Sequence, residues 1–442
     1  MDKRNIILIT LDSLRADHCS FMGYKRETTP TIDKMCNNGL CFTNAYSPST
    51  ATPTSMIGIF TSEHSLVDIT ASTPGKSASF KPWRDELSQR VTLAEMLSHR
   101  GYFTAAFVPN AYVSRYFGFD KGFKYFQDFI PPNNNKSLLL RLRRAIFKRY
   151  FQGSKAFTYT KYFWDMLRKK EVFKPWEDYY DEIVRAVEKI KKPFFLWILI
   201  LDTHHPFLPP KTYRQETNFF TALYYNLKYM HAIRNPGTKL PKEIIEKIIK
   251  LYDSSIRYAD SFIDKIWKDL RDHDPVLIIH ADHGEAFGEH GNYGHPPFLY
   301  EENIHVPFII YNANIKGKVE TPISLLKIPQ IILQLAEEKE KFLFENMLNP
   351  EYMKISPTIS MVIDNGIIKI AIRDKEWKFI TNHRKDEDEL YNLQRDPDEQ
   401  QNLVLEEPSI AKEMKKTADN YMQLISRKRL LRRIKSVKRK IF

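Results

Sequence analysis

The stretch VLIIHADHGEAFGEHGNYGHPPFLYEENIHVPFII (Val276–Ile310) opens on an apolar run. It passes through acids, histidines and glycines and returns to a second apolar run. A short unbroken apolar run bounded by turn residues reads as a strand covered on both faces. Polar residues just past such a strand, here Asp282 and His283, fall where open α/β sheets build their sites.

The same pattern recurs along the chain. NIILIT (Asn5–Thr10) runs into Asp12, and PFFLWILIL (Pro193–Leu201) runs into Asp202, Thr203, His204 and His205. YFTAAFV (Tyr102–Val108) and VPFIIY (Val306–Tyr311) are further strands. Between them lie helical stretches: LAEMLSHRG ending at Gly101, YYDEIVRAVEKIKK, and Lys242–Asp272. Apolar strands alternating with helices predict an α/β fold with a mostly parallel central sheet. Beyond about residue 350 the runs TISMVID, GIIKIAIRD and EWKFITN alternate and are separated by turns. They predict a small antiparallel sheet, followed by a helix from about Pro408 to Ile425. The expected division is a catalytic domain over 1–345, a C-terminal subdomain over 346–425 and a basic tail over 426–442. Within the first, residues 120–190 read as a basic and aromatic insertion, broken by PPNNN (Pro131–Asn135).

At 442 residues the chain can hold one large α/β domain and a small one. The net charge of +13 is unevenly spread: Ser426–Phe442 carries nine Lys/Arg and no acid. KSLLLRLRRAIFKRYF (Lys136–Phe151) is also basic, with apolar residues interleaved. Basic amphipathic helices suit anionic membrane surfaces, and nucleic acid is the less favoured partner. No apolar run is long enough to span a bilayer, so a cytoplasmic location is expected, with peripheral attachment at a membrane. Cys19, Cys36 and Cys41 are an odd set without a CxxC pair, which predicts free thiols rather than a disulfide framework or a cysteine zinc site.

Asp12, Asp282 and His283 each follow a strand. Two carboxylates and an imidazole are a plausible set for a divalent metal ion such as Mn, Zn, Mg or Ca. In STATPTSMIGIFTS (Ser49–Ser62), Thr52 before Pro53 reads as a helix N-cap, with Ser55 at the third helical position. A hydroxyl at that place, near a metal, is also a potential nucleophile. Capping and catalysis do not exclude each other.

Taken together, these segments resemble the sulfatase family of the alkaline phosphatase-like superfamily, almost from end to end. NIILITLDSLRADH with TTPTIDKMCNNGLCFTNAYS resembles the family's opening, and TPTSMIGIFTS its nucleophile motif. LDTHHPFLPP, HADHGEAFGEHGNYGHPPFLYEENIHVPFII and EWKFITN with DELYNLQRDPDEQQNL resemble later segments. The resemblance implies an alkaline phosphatase-like three-layer sandwich. Counted from Thr61, it places Thr52 at the nucleophile position and Ser55 at the motif serine. Asp12, Asp282 and His283 match metal ligands, with Thr52 also on the ion. His204 matches the residue on the ester group, and His295 falls near the leaving group. Ser55, Asn110 and His205 are the expected substrate contacts.

The departures matter as much. Threonine cannot give the formylglycine aldehyde of true sulfatases. Met56 replaces the motif arginine, Ser13 the second aspartate, and FVPNAY a stretch that supplies Lys and His. A threonine nucleophile with such ligands resembles the phosphoethanolamine and phosphoglycerol transferase branch, whose members carry a phospho-intermediate on Thr. The expected function is a metal-dependent hydrolase or transferase acting on a phosphate or sulfate ester through covalent Thr52, phosphate favoured. Its substrate would be a small-molecule, glycan-linked or lipid-linked ester. The rival expectation is a weak or inactive member that docks on a membrane or polyanion.

Overall fold

The computed structural model describes residues 3–72, 80–130, 174–214, 217–337, 357–382 and 387–441. The strands are β1 (Asn5–Leu11), β2 (Leu40–Tyr46), β3 (Phe103–Phe107), β4 (Tyr125–Gln127), β5 (Phe194–Ile200), β6 (Pro275–Ala281), β7 (Ala286–Phe287) and β8 (Tyr293–Gly294). They continue as β9 (His305–Tyr311), β10 (Gly317–Val319), β11 (Ile323–Ser324), β12 (Thr358–Asp364), β13 (Ile367–Arg373), β14 (Trp377–Asn382) and β15 (Glu389–Asn392).

The central sheet has the order β10-β2-β9-β6-β1-β5-β3-β4, with β11 also paired to β2. From β6 to β4 every pair is parallel, while β9 runs antiparallel to β6 and β2. All residues of β1, β5 and β6 are buried, as expected of parallel strands covered on both faces. Register explains the site. Leu11 pairs with Ile200 on one side and Ala281 on the other, so the three strands end level. Asp12, the Asp202–His205 loop and Asp282–His283 therefore leave the sheet along one rim.

The described ends of the 120–190 stretch belong to this layer: β4 pairs with β3, and the helix Glu177–Val187 buries Tyr179, Tyr180 and Ile183 against the core. Residues 136–151 lie outside the described residues, as does the expected boundary at 340–350. No described helix is long and apolar enough to cross a membrane.

The C-terminal antiparallel sheet β12-β13-β14-β15 forms as the alternation predicts. Asn365 and Gly366, both at positive φ, turn β12 into β13. The following helix buries Ala411, Met414, Ala418, Met422 and Ile425, spaced three and four apart, on this sheet. It does not stop near Ile425 but continues to Ile441. Residues 426–441 contain neither Gly nor Pro and are rich in good helix formers, so nothing ends the helix. The two sheets are joined at the loop before Thr52: Ser360 Oγ donates to Ser47 O at 2.6 Å, and Met361 N to Pro48 O at 2.9 Å. Buried Lys378 bridges Glu301 at 3.0 Å and Glu399 at 2.8 Å.

The cysteine expectation is overturned for one pair. Cys36 and Cys41 form a disulfide with Cα atoms 5.0 Å apart, leaving Cys19 as the free thiol. The helix Pro30–Asn38 reverses into β2 through Gly39, where a Cβ would stand 2.5 Å from Ile310 O. That tight reversal sets the two cysteines side by side.

His290 braces the junction of the two sheets. Its Nδ1 donates to Glu302 at 3.0 Å and its Nε2 faces Glu399 O at 3.0 Å, while its ring stacks on Tyr300 at 3.7 Å. Burial works against its charge, but the Glu302 hydrogen bond and charge outweigh that and raise its pKa to about 9. A pKa above the ordinary 6.5 stabilises the fold fully below about 6.5 and loses that contribution as pH rises through about 9. Urea midpoints measured from pH 6 to 10 are expected to fall across that window in the wild type. They should stay flatter in His290→Gln, and parallel curves would refute the assignment.

Candidate active site

The site is built where β1, β5 and β6 end. Asp12, Asp282 and His283 are fully buried, and one ligand atom from each lies within 4.8 Å of the others. His283 Nε2 stands 3.8 Å from Asp12 Oδ1 and 3.6 Å from Asp282 Oδ2. His283 Nδ1 faces Gly284 O at 2.9 Å, which assigns the proton to Nδ1 and leaves the Nε2 lone pair free. Facing that lone pair, at 3.1 Å, is the Thr52 hydroxyl.

Burial, and then the like charge of Asp282, pushes the Asp12 carboxyl up to about 7. Burial also raises Asp282 to about 6 and lowers His283 to about 4. Asp282 Oδ2 has no hydrogen bond of ordinary geometry. Two buried carboxyls, both raised by burial and Asp12 further raised by the charge of Asp282, beside a neutral imidazole, form a donor set that fits a divalent cation.

Thr52 differs from the expectation in detail. It is the first helical residue, with Ala51 as N-cap, and its side chain caps nothing. The hydroxyl is thus free to face His283. Ser55 also departs from its expected place on the substrate. It is wholly buried, and its hydroxyl donates to Asp282 O at 2.6 Å and meets Ser47 Oγ at 2.9 Å. It ties the nucleophile helix to the β6 end. Asn110 is spent on orientation: its amide donates to Asp12 Oδ2 at 2.8 Å. Ser13, standing where the family has an acid, donates to Asp12 Oδ1 at 3.0 Å from a left-handed backbone with φ 63°.

A second group of side chains adjoins the first. His204, His205 and His295 converge, with rings of His204 and His205 stacked at 4.3 Å and His295 4.5 Å from His283. Behind them lies a residue that the sequence reading did not single out. Glu285, fully buried, accepts from His205 Nδ1 at 3.2 Å, His295 Nδ1 at 2.9 Å and the Tyr229 hydroxyl at 2.9 Å. Burial alone would raise the Glu285 pKa, but the hydrogen bonds and charges of His205 and His295 hold it well below the usual range. Burial likewise opposes charge on His295, yet Glu285 outweighs it and the pKa of His295 rises. His204, pressed down by burial and then by His205, stays neutral. The rim thus carries one imidazole inclined to hold a proton and one inclined to lack it. The signal for Glu285 was its place two residues beyond His283 on the same rim.

Met56, at the motif arginine position, is wholly buried in the core and brings no charge to the site.

The chain resembles known proteins along most of its length. The chain is 23% identical to an arylsulfatase of Clostridium perfringens, over 91% of this chain and 90% of that one. It is 23% identical to arylsulfatase K of Mus musculus, over 56% of this chain and 53% of the relative, so that alignment spans about half the relative's length. Among solved structures, the phosphonate monoester hydrolase of Agrobacterium radiobacter superposes with a TM-score of 0.68 at 16% identity, covering 96% of both chains. A second, solved in complex with its substrate D-glucosamine-2-N,6-O-disulfate, gives 0.66 at 17% identity, covering 98% of both. These structural likenesses show the fold. The family model described as Sulfatase matches residues 4–338, from the start of β1 to just past the helix Ile328–Ala336, and the chain belongs to that family.

Proposed function

We propose that this sulfatase-family chain is a metal-dependent ester hydrolase or transferase that uses Thr52 as a covalent nucleophile. The observation that carries this reading is the Thr52 hydroxyl, 3.1 Å from His283 Nε2 at the start of a helix and beside Asp12 and Asp282.

Asp12, Asp282 and His283 would hold the cation, with Thr52 beside it; Mn, Zn, Mg and Ca all suit the donors. When bound, it would lower the pKa of a neighbouring hydroxyl and offset charge on the transferred group. The chain's own residues do the rest. Asn110 and Ser13 fix the Asp12 carboxylate, and Ser55 fixes the backbone of Asp282. The Thr52 hydroxyl would give up its proton to solvent, and its oxygen would form a bond to the phosphorus or sulfur of the ester as the bond to the leaving alcohol breaks. His295, held protonated by Glu285, is placed to give that alcohol its proton. His204 and His205 line the same rim, where the ester would sit. Water, or a second alcohol, would then take the group from Thr52.

Phosphate or phosphonate esters are favoured over sulfate esters. Threonine cannot become formylglycine, and buried Met56 supplies no cation for the sulfate oxygens. The relatives include an arylsulfatase, a phosphonate monoester hydrolase and a protein whose substrate is a disulfated glucosamine, which supports a small-molecule or glycan-linked ester as the substrate class.

The test is a panel of nitrophenyl phosphate, phosphodiester, phosphonate and sulfate esters with added Mn, Zn, Mg or Ca. Turnover should require one of these ions and be lost on chelation. Intact-mass analysis of trapped enzyme should find an adduct on Thr52. Absence of turnover with every ion would overturn the reading.

A further inference from the structure

On the far side of the site wall lies a second cleft, of about 390 Å³, bounded by the loop at Arg26–Thr28, by Tyr213 and Arg214, by Thr217, Asn218, Thr221 and Tyr225, and by the helix Lys242–Leu270. None of the catalytic candidates lines it. Tyr252 separates the two: its hydroxyl donates to Ser13 O at 2.7 Å, while its chain neighbour Asp253 lines the cleft. Phe207 packs on Tyr252 at 5.1 Å and on Tyr229 at 5.7 Å, completing an aromatic partition.

The charges in the cleft do not balance. Five cations line it, Arg26, Arg214, Lys247, Lys250 and Arg257, against two acids, Glu27 and Asp253. Both acids are already engaged. Asp253 takes hydrogen bonds from His18, Tyr24 and Arg26, and Glu27 pairs with Arg257 at 2.7 Å. Among the described residues, Arg214, Lys247 and Lys250 have no acidic partner within salt-bridge distance. Arg214 is the sharpest case. Its Nε and Nη1 are shielded from water and find no acceptor, while its guanidinium lies over the Phe219 ring. Its pKa is lowered by burial alone. Shielded N–H groups without acceptors are costly and are ordinarily satisfied. Thr221 and Ser254 line the same space, as does Asn218 at the start of the helix Phe219–Arg234.

We propose that this cleft is a second anion site, which takes a phosphate or sulfate group on Arg214, Lys247 and Lys250. A planar guanidinium with free N–H groups and two lysines suit a tetrahedral oxyanion. The site stands whichever ester Thr52 acts on, because the partition keeps the two apart. The anion comes either as a free species or as a distal group on a chain-like polyanion.

Two probes separate these sources: inorganic pyrophosphate and a sulfated oligosaccharide, titrated calorimetrically into the metal-loaded full chain. Lys247 and Lys250 are exposed, so Lys247→Ala/Lys250→Ala should leave the fold and nitrophenyl ester turnover unchanged. It should weaken binding at least about tenfold at low salt, and Arg214→Gln should do the same. A loss seen with pyrophosphate identifies a free anion, and a loss confined to the oligosaccharide identifies a distal group of a chain. If both variants bind both probes as tightly as the wild type does, the cleft is not an anion site.

Discussion

Thr52→Ala is expected to lower ester turnover by at least about 10³-fold with its preferred metal, while the protein stays folded and binds that metal. The helix does not depend on the hydroxyl, because Ala51 is the N-cap and Pro53 sets the first turn. The substitution removes one hydrogen bond, to His283, worth about 1 kcal/mol of stability. The loss should therefore fall on kcat rather than on unfolding. Thr52→Ser keeps the hydroxyl and should retain turnover and the covalent adduct, whereas the alanine variant should form none. Turnover by Thr52→Ala within tenfold of the wild type would remove Thr52 from the mechanism. It would leave a water molecule as the attacking group.

The second large effect concerns Glu285. Its carboxylate is the shared acceptor for three groups in a fully buried place. Glu285→Ala leaves His205, His295 and Tyr229 without it, and breaking a buried ionic network commonly costs about 3–5 kcal/mol. Glu285→Gln preserves shape but swaps one acceptor oxygen for a donor, so it should lose less stability than alanine. Both should lower turnover, because His295 loses the group that favours its protonated form. Since the Glu285 pKa is depressed from the ordinary 4.5, its contribution is present above about 4.5 and lost as pH falls toward the folded value. Denaturation midpoints of wild type and Glu285→Gln should therefore differ at pH 7 and converge in acid. Equal midpoints at pH 7 would deny Glu285 its role, and an unchanged pH–rate profile would separate it from the proton on His295.

Most of the fold was legible because strand ends mark themselves. A buried apolar run that stops at Asp12, Asp202 or Asp282 announces both a parallel strand and a polar rim. The alternation of β12, β13 and β14 was equally plain. Other features depended on distances that no local pattern carries. The Cys36–Cys41 pairing needs the reversal at Gly39, and an odd cysteine count pointed the other way. Thr52 was read as both cap and nucleophile, and Ser55, through the resemblance, as a substrate contact. Only the neighbouring β6 end decides that Ser55 anchors Asp282 O while Thr52 faces His283. Glu285 was overlooked because a glutamate in a glycine-rich loop looks like a solvent residue until two histidines and a tyrosine close around it.

The junction at Ser47 and Pro48 has a consequence for the order of synthesis. The segment leading to Thr52 emerges early from the ribosome, but Ser360 and Met361, which hold it, follow some three hundred residues later. A nascent chain would carry an intact parallel sheet and a nucleophile held by Ser55 alone of its two anchors until its last strands arrive. Truncation before β12 should therefore yield a protein that is compact but less active, although none of the catalytic candidates lies in the lost part.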